Sequence, residues 1–403
     1  MARLATGAFS FAAFRAIWLL GFVANICLMT QTVVTAWLMT HFGSATLVAL
    51  VQTAFSTPIL VFALASGTMA DVAARSRMLL AAFAVMAASA LTMGLVSLIQ
   101  TPPPLLLLGT AFLFGSGMAL LGPPALASIG DVIPAETLPE AVATYGIGYN
   151  LARCIGPALG GAVLAVGGAE AAYAINAFCA AAMFLLVLMR LHARRVTPAN
   201  PQHPWHAFAE AAALPLRSGS TRLILLRAAL HAATSSAVWA LAPILAKQQL
   251  HGGAGDYGLL MGAIGLGAIL FAFAMRRLRD RIGLQGVAQM FTLVAALAML
   301  ALPFASSLPA AILMMLGFGA SWTAVMTVWS VASQLCLPRR LAGRGVGLFH
   351  SAMFGGLAAG SLIWGRLTET HGLTTALVAA GMIAALSLGI GARWPVPDTV
   401  RQA

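Results

Sequence analysis

Charged side chains make up only 8% of the 403 residues, where a soluble domain carries about a quarter. Acidic ones are the scarcest, with 10 Asp and Glu against 22 Lys and Arg. Cysteine occurs four times. So little charge in so long a chain excludes a disordered segment and a soluble multidomain enzyme. So little cysteine excludes a secreted disulfide scaffold. Cys27, Cys154, Cys179 and Cys336 all fall within or at the end of apolar runs, at spacings that suit neither a metal site nor a pairing framework. They read as small apolar packers. The glycine clusters at 252–267 and 355–360 lack the Lys-Ser/Thr ending of a phosphate loop, so ATP-driven chemistry is not expected. No cofactor, no metal and no enzymatic nucleophile–base pair is expected.

What the chain has in abundance is apolar surface, 61% of its residues, in long uninterrupted runs. A membrane β-barrel shows short alternating segments instead, so helices are the spanning solution. A helix needs roughly 20 apolar residues to cross about 30 Å of hydrocarbon, and with short connections the length divides into roughly twelve crossings. The runs place them at 16–40, 46–70, 78–99, 104–129, 140–166, 171–190, 221–246, 257–275, 285–305, 308–332, 344–366 and 373–392. The expected fold class is therefore an all-α polytopic membrane protein of twelve transmembrane helices in two six-helix halves.

A formal net charge of +12 raises the question of a nucleic-acid partner. Placement answers it. Arg75, Arg77, Arg190, Arg194, Arg195, Arg276, Arg277, Arg279, Arg281, Arg339, Arg340 and Arg344 all lie on one side of these spans, while only Lys247 and Arg366 fall on the far side and Arg153 falls inside a span. This is the positive-inside bias, and it puts both termini in the cytoplasm of a bacterial-type inner membrane. No nucleic acid is expected. The first apolar run, about 25 residues with no small-residue cleavage region after it, reads as an uncleaved span.

The two halves resemble each other. An offset of 204 lays Phe114-Gly115 on Phe318-Gly319, Pro134 on Pro338, Gly156 on Gly360, Gly161 on Gly365 and Gly168 on Gly372. An offset of 209 lays Asp71 on Asp280. The expected division is 1–191, a polar cytoplasmic linker at 192–219, and 220–403. Six-span halves that rock about a central site are a common transporter plan.

Two motifs sharpen this. Gly67-Thr-Met-Ala-Asp71-Val-Ala-Ala-Arg75-Ser-Arg77 resembles the cytoplasmic loop motif of the major facilitator superfamily. Gly67 allows close helix approach, and Asp71 is able to face a helix N-terminus or a guanidinium. In the fifth span, Gly156-Pro157-Ala-Leu-Gly160-Gly161 resembles the antiporter motif of that superfamily; Gly148, Ala152, Gly156 and Gly160 form a stripe of small residues, and Pro157 removes a helix hydrogen bond. Asn150, Arg153 and the following glycines, with Asn176 in the next span, Phe14-Arg15 and Gly343-Arg344, are similar to the transmembrane secretion effector branch, which includes the enterobactin exporter. The resemblance covers essentially the whole chain. It implies a proton-driven exporter of siderophore- or drug-like molecules, a secondary active transporter working by alternating access. Importer or lipid flippase is the alternative on the same fold.

Two departures stand out. The fourth span, 104–130, lacks the arginine of many drug–proton antiporters, and none of the ten acidic residues lies deep in a span. A buried carboxylate is the usual proton carrier in such pumps, so the coupling ion is open.

Polar groups inside a membrane are expensive, and each is a candidate. Arg153 leads, permanently charged about thirteen residues into its helix, on the same side as Asn150 and Pro157. With no carboxylate at its depth it suits carbonyls, water or an anion, which points to an anionic or polar, hydrogen-bonding cargo. Asn25, Gln31, Thr32, Gln52, Tyr145, Tyr149, His231, Trp239 and His350 join the list of cavity candidates, with spans 1, 5, 7 and 11 as the expected walls. His231 and His350 titrate near neutrality when unperturbed and are the proton-coupling candidates. The expected partners are a small-molecule substrate, protons and the bilayer, with the chain a monomer.

Overall fold

The structure, a computed structural model, describes residues 7–72, 75–134, 136–191, 218–336 and 342–393. Among them nine helices are long and apolar enough to cross a membrane. Three of these run for 48 to 54 residues, more than twice a single crossing. Each contains one glycine in an extended positive-φ conformation that side-chain-bearing residues avoid. These are Gly168 (φ 74°, ψ −179°), Gly283 (φ 67°, ψ 176°) and Gly372 (φ 86°, ψ 162°). Cutting there gives twelve helical segments. We label them α1 Ala12–Met39, α2 Ala45–Val72, α3 Arg75–Ile99, α4 Pro104–Val132, α5 138–167, α6 169–191, α7 Gly219–Ile244, α8 254–282, α9 284–301, α10 Leu308–Leu335, α11 342–371 and α12 373–393.

At Gly168 the chain reverses on a single residue. Along α1, Met29 and Thr30 meet Gly156 and Gly160 of α5, both ascending. Cys27, Gln31 and Thr35 meet Asn176 and Tyr173 of α6 in descending order. The gap drawn at 166–171 from the sequence is thus a glycine hinge.

Helix starts follow local chemistry. Pro103 and Pro104 open α4 with pre-set φ. Ser218 caps α7 by accepting from Thr221 N at 3.3 Å, and Asp256 folds back to accept from Gly253 N at 2.8 Å at the head of α8.

The paired glycines of the 204-residue offset do matching work. A Cβ on Gly156 would lie 2.7 Å from Met29 of α1, and one on Gly360 would strike Ala233 O of α7. A Cβ on Gly161 would lie 2.6 Å from Gly258 of α8, and one on Gly365 2.5 Å from Ala49 of α2. Gly115 sits against Phe55 O of α2, and Gly319 against Ile264 O of α8. Phe114 and Phe318 are both fully buried. Absent side chains let backbones touch, where lipid offers no hydrophobic drive for association. Two antiparallel contacts of the same kind therefore recur, α5 on α8 and α2 on α11. The second is extended by Thr53 Oγ1 donating to Ala358 O at 3.0 Å and Ser351 Oγ to Leu60 O at 3.4 Å.

The small-residue stripe of α5 faces α1, where Gly148 abuts the Trp18 indole, whereas Gly161 faces α8. Of the loop motif, Gly67 and Asp71 lie in the last turns of α2 and Arg75 opens α3, but their side chains lie outside the described residues. Arg77 is exposed, and Asp280 is an exposed neighbour of Arg279 at 3.5 Å. Most of the linker (192–217), Pro338, Arg339 and Arg340 also lie outside. We call the end of the bundle bearing Arg77, Arg277 and Arg279 the basic end, and the end of the 40–44 and 245–253 turns the far end.

Candidate functional site

A cavity of ≈ 510 Å³ lies among α1, α2, α4, α5, α7, α8, α10 and α11. Along the bundle it reaches from Val48 and Tyr257, near the far end, to Tyr149, Ser330 and His350 toward the basic end. The expected walls α1, α5, α7 and α11 are present, and four more helices join them. The lining is mostly apolar and includes Met29, Met118, Met261, Met326 and Met353, unbranched side chains that adapt to irregular cargo.

Arg153 lines this cavity from the middle of α5. Its guanidinium carbon is 5.6 Å from the centroid of the Tyr149 ring and 5.4 Å from that of Trp239. Two aromatic faces thus hold the cation, and its N–H groups make no hydrogen bond among the described residues. Among the described residues the lining contains no carboxylate. Placement of the described acidic residues explains why: Glu140 accepts from Ala8 N, Asp256 caps α8, Asp131, Glu136 and Asp280 are exposed, Glu170 borders a separate cleft beside Leu91 and Leu98, and Glu369 is bonded at the far end. Other unspent polar atoms share the wall. Trp239 Nε1, Thr323 Oγ1 and Asn25 Oδ1 are buried without a hydrogen-bond partner. Asn25 Nδ2 is spent on Gly21 O at 2.7 Å, Thr32 Oγ1 on Leu28 O at 2.9 Å, and Gln52 Nε2 on Ser56 Oγ at 3.0 Å. A buried donor or acceptor left without a partner costs about 1–3 kcal/mol. A bound polar molecule would relieve that cost.

The structure thus brings together Asn25, Thr32, Gln52, Tyr149, Arg153, Pro157, Trp239 and His350. Asn150 lies on α5 one residue beyond Tyr149, and its side chain is outside the described residues. Three candidates are placed elsewhere. Gln31 turns away to accept from Asn176 Nδ2 at 3.0 Å, a buried bond between α1 and α6. Tyr145 packs against Gly21. His231 is buried behind Trp322, ring to ring at 6.2 Å, and borders a separate cavity of ≈ 20 Å³ with Arg227, Gln289, Thr292 and Trp329. It forms no part of the main cavity wall.

Sequence reading missed the hydroxyl stripe of α10, Thr323, Thr327 and Ser330, which lines the cavity beside Trp322. The signal was there, since i, i+4, i+7 is one helix face. Arg227 was also missed as an interior group; its guanidinium lies 4.3 Å over the Trp329 ring.

Comparison with known proteins follows the same lines. Residues 5–403 match the family described as transmembrane secretion effector. A search of curated protein sequences finds no match. Among solved structures, the nucleoside transporter NupG aligns at TM-score 0.74 with 13% identity, covering 95% of this chain and 100% of that one. A POT family transporter in complex with 5-aminolevulinic acid aligns at 0.76 with 13% identity, over 94% and 95%. A bacterial homolog to the human lysosomal transporter Spinster, inward-facing and occupied, aligns at 0.73 with 17% identity, over 97% and 98%. At such identities the likeness is one of fold. A family match over nearly the whole sequence, on a bundle of long apolar helices around a polar-studded cavity, shows that the chain belongs to the transmembrane secretion effector family, multi-pass transporters of the major facilitator type rather than enzymes.

Proposed function

We propose that this transporter is a secondary active exporter of a small amphipathic organic anion, siderophore- or drug-like. It works by alternating access between two six-helix halves, 1–191 and 220–403, joined by the 192–219 linker. The basic end is cytoplasmic, with both termini, in a bacterial-type inner membrane, and the monomer is the working unit. The observation that carries the reading is Arg153, a permanent charge between two aromatic rings in a cavity where, among the described residues, it meets no carboxylate and makes no hydrogen bond. An oxyanion there gains charge-assisted hydrogen bonds, while the methionine wall takes its apolar body.

Inverted membrane vesicles incubated with a mixed small-molecule extract test it. Mass spectrometry is expected to find anionic compounds accumulated, and a protonophore is expected to lower that accumulation. Enrichment of cationic species alone would sink the anion reading; depletion of preloaded vesicles would reverse the direction.

Proton coupling is assigned to His350, which shares the cavity with Arg153, rather than to His231 behind Trp322. His350→Gln is expected to remove the protonophore-sensitive part of transport, and His231→Gln to leave it. The opposite pattern would move the proton to the smaller cavity.

A further inference from the structure

Lys247 is one of the two basic residues on the far side, against the bias that orients the rest. The structure gives it a task. Its Nζ donates to Thr40 O at 3.3 Å and to Thr40 Oγ1 at 3.1 Å. Thr40 is the C-cap of α1. The same ammonium lies 6.0 Å from the Trp37 ring centroid, and Trp37 stacks on Tyr257 of α8 at 6.1 Å. A cation therefore reaches from the α7–α8 turn to the carbonyl end of α1, the negative end of a helix dipole.

The opposite charge does the converse. Glu369, in the last turn of α11, accepts through Oε2 from Ser44 Oγ and from Thr46 N, both at 2.8 Å. Those groups form the start of α2, the positive end of its dipole. The carboxylate thus sits on an N–H end and the ammonium on a C=O end, at the two ends of one turn, 40–46. Both partners come from the other half of the sequence. Beneath them Gly161 meets Gly258 and Gly365 meets Ala49.

We propose that Lys247 and Glu369 are positioning residues of the transport cycle, a pair of charged clasps that hold the far end shut on opposite ends of the α1–α2 turn. The inference rests on the alternating-access reading, in which the far end opens once per turnover and both clasps must release. Being at helix ends and partly in solvent, each clasp is modest. Together they bias the closed state by about tenfold.

The test is cysteine accessibility in membrane vesicles of either orientation, using the full chain. Ala36→Cys places a thiol on the α1 wall of the cavity, and a membrane-impermeant maleimide is applied from one face at a time. Labelling is read at residue 36 by peptide mass spectrometry. With Lys247→Ala and Glu369→Gln combined, labelling from the far face is expected to rise about tenfold, with a fall from the basic face. Lys247→Arg with Glu369 intact is expected to keep the original rates. Buried Cys27 reports folding, since a merely damaged protein would label there and from both faces. An unchanged far-face rate in the combined variant would overturn the clasps while leaving alternating access intact. A transport-active protein in which Ala36→Cys never reacts from the far face in any background would remove both.

Discussion

Arg153→Ala is expected to weaken binding of an anionic substrate by about ten- to a hundredfold, the worth of charge-assisted hydrogen bonds to an ion at roughly 1.5–3 kcal/mol. The cavity is open enough for water to enter, so the fully buried figure does not apply. Arg153→Lys keeps the charge but loses the planar fork and its stacking between Tyr149 and Trp239. It is therefore expected to fall between wild type and alanine. Transport measured against substrate concentration separates the terms. A raised half-saturation point with unchanged maximal rate marks lost binding alone, and a lowered maximal rate marks an effect on the cycle as well. Wild-type transport by both variants, at equal expression, would show that Arg153 serves packing only.

Gly319→Val is expected to abolish assembly. A Cβ at this position would fall on Ile264 O, with the neighbouring Ile264 backbone atoms 2.6 Å away, so no side-chain rotation makes room. Overpacking a tight site costs about 1–3 kcal/mol and more where backbone must move. Here α8 and α10 must part, and with them Trp322 and Met261 on either side of the cavity. Gly109→Ala, in the interior of α4, is the control, because a Cβ there meets nothing within 4 Å. Replacing glycine inside a helix gains roughly 0.5–1 kcal/mol. Thermal unfolding in detergent, followed by size-exclusion chromatography, should give a stable Gly109→Ala and little or no monodisperse Gly319→Val. A Gly319→Val protein with wild-type melting would mean that the two backbones are not in contact.

Much of this was legible in the residues. The 204-residue offset paired glycines that do prove to pack alike, because a glycine at a helix crossing has a geometric reason that duplication preserves. Arg153, Tyr149 and Trp239 were legible because polar and amphipathic groups at membrane depth are too costly to be incidental. Gln31 shows where the reading outran its rule. At about 100° per residue, Asn25 and Thr32 share a face, while Gln31 stands about 120° around the helix from Asn25. Its polarity matched the cavity, yet its direction leads to Asn176. His231 carried no such warning, since only the packing of Trp322 puts it on the outer side. Of the clasps only Lys247 was legible, as an exception to the charge bias: Lys247 and Glu369 sit 207 and 325 residues from Thr40 and Ser44, and nothing local names those partners.

By favouring an anion, Arg153 also sets the sign of the electrical work in the proposed turnover. On the proposed export, each singly charged anion that leaves carries one net negative charge away from the basic end, while the fixed charge of Arg153 returns unchanged with the empty protein. On the proposed orientation that end faces a cell interior held negative. A potential of 100 mV then supplies about 2.3 kcal/mol per ion, enough for a gradient of roughly fiftyfold before any proton is counted. A cationic cargo would have to climb the same potential. For the proposed anionic cargo, the resting voltage of the membrane is itself an outward driving force.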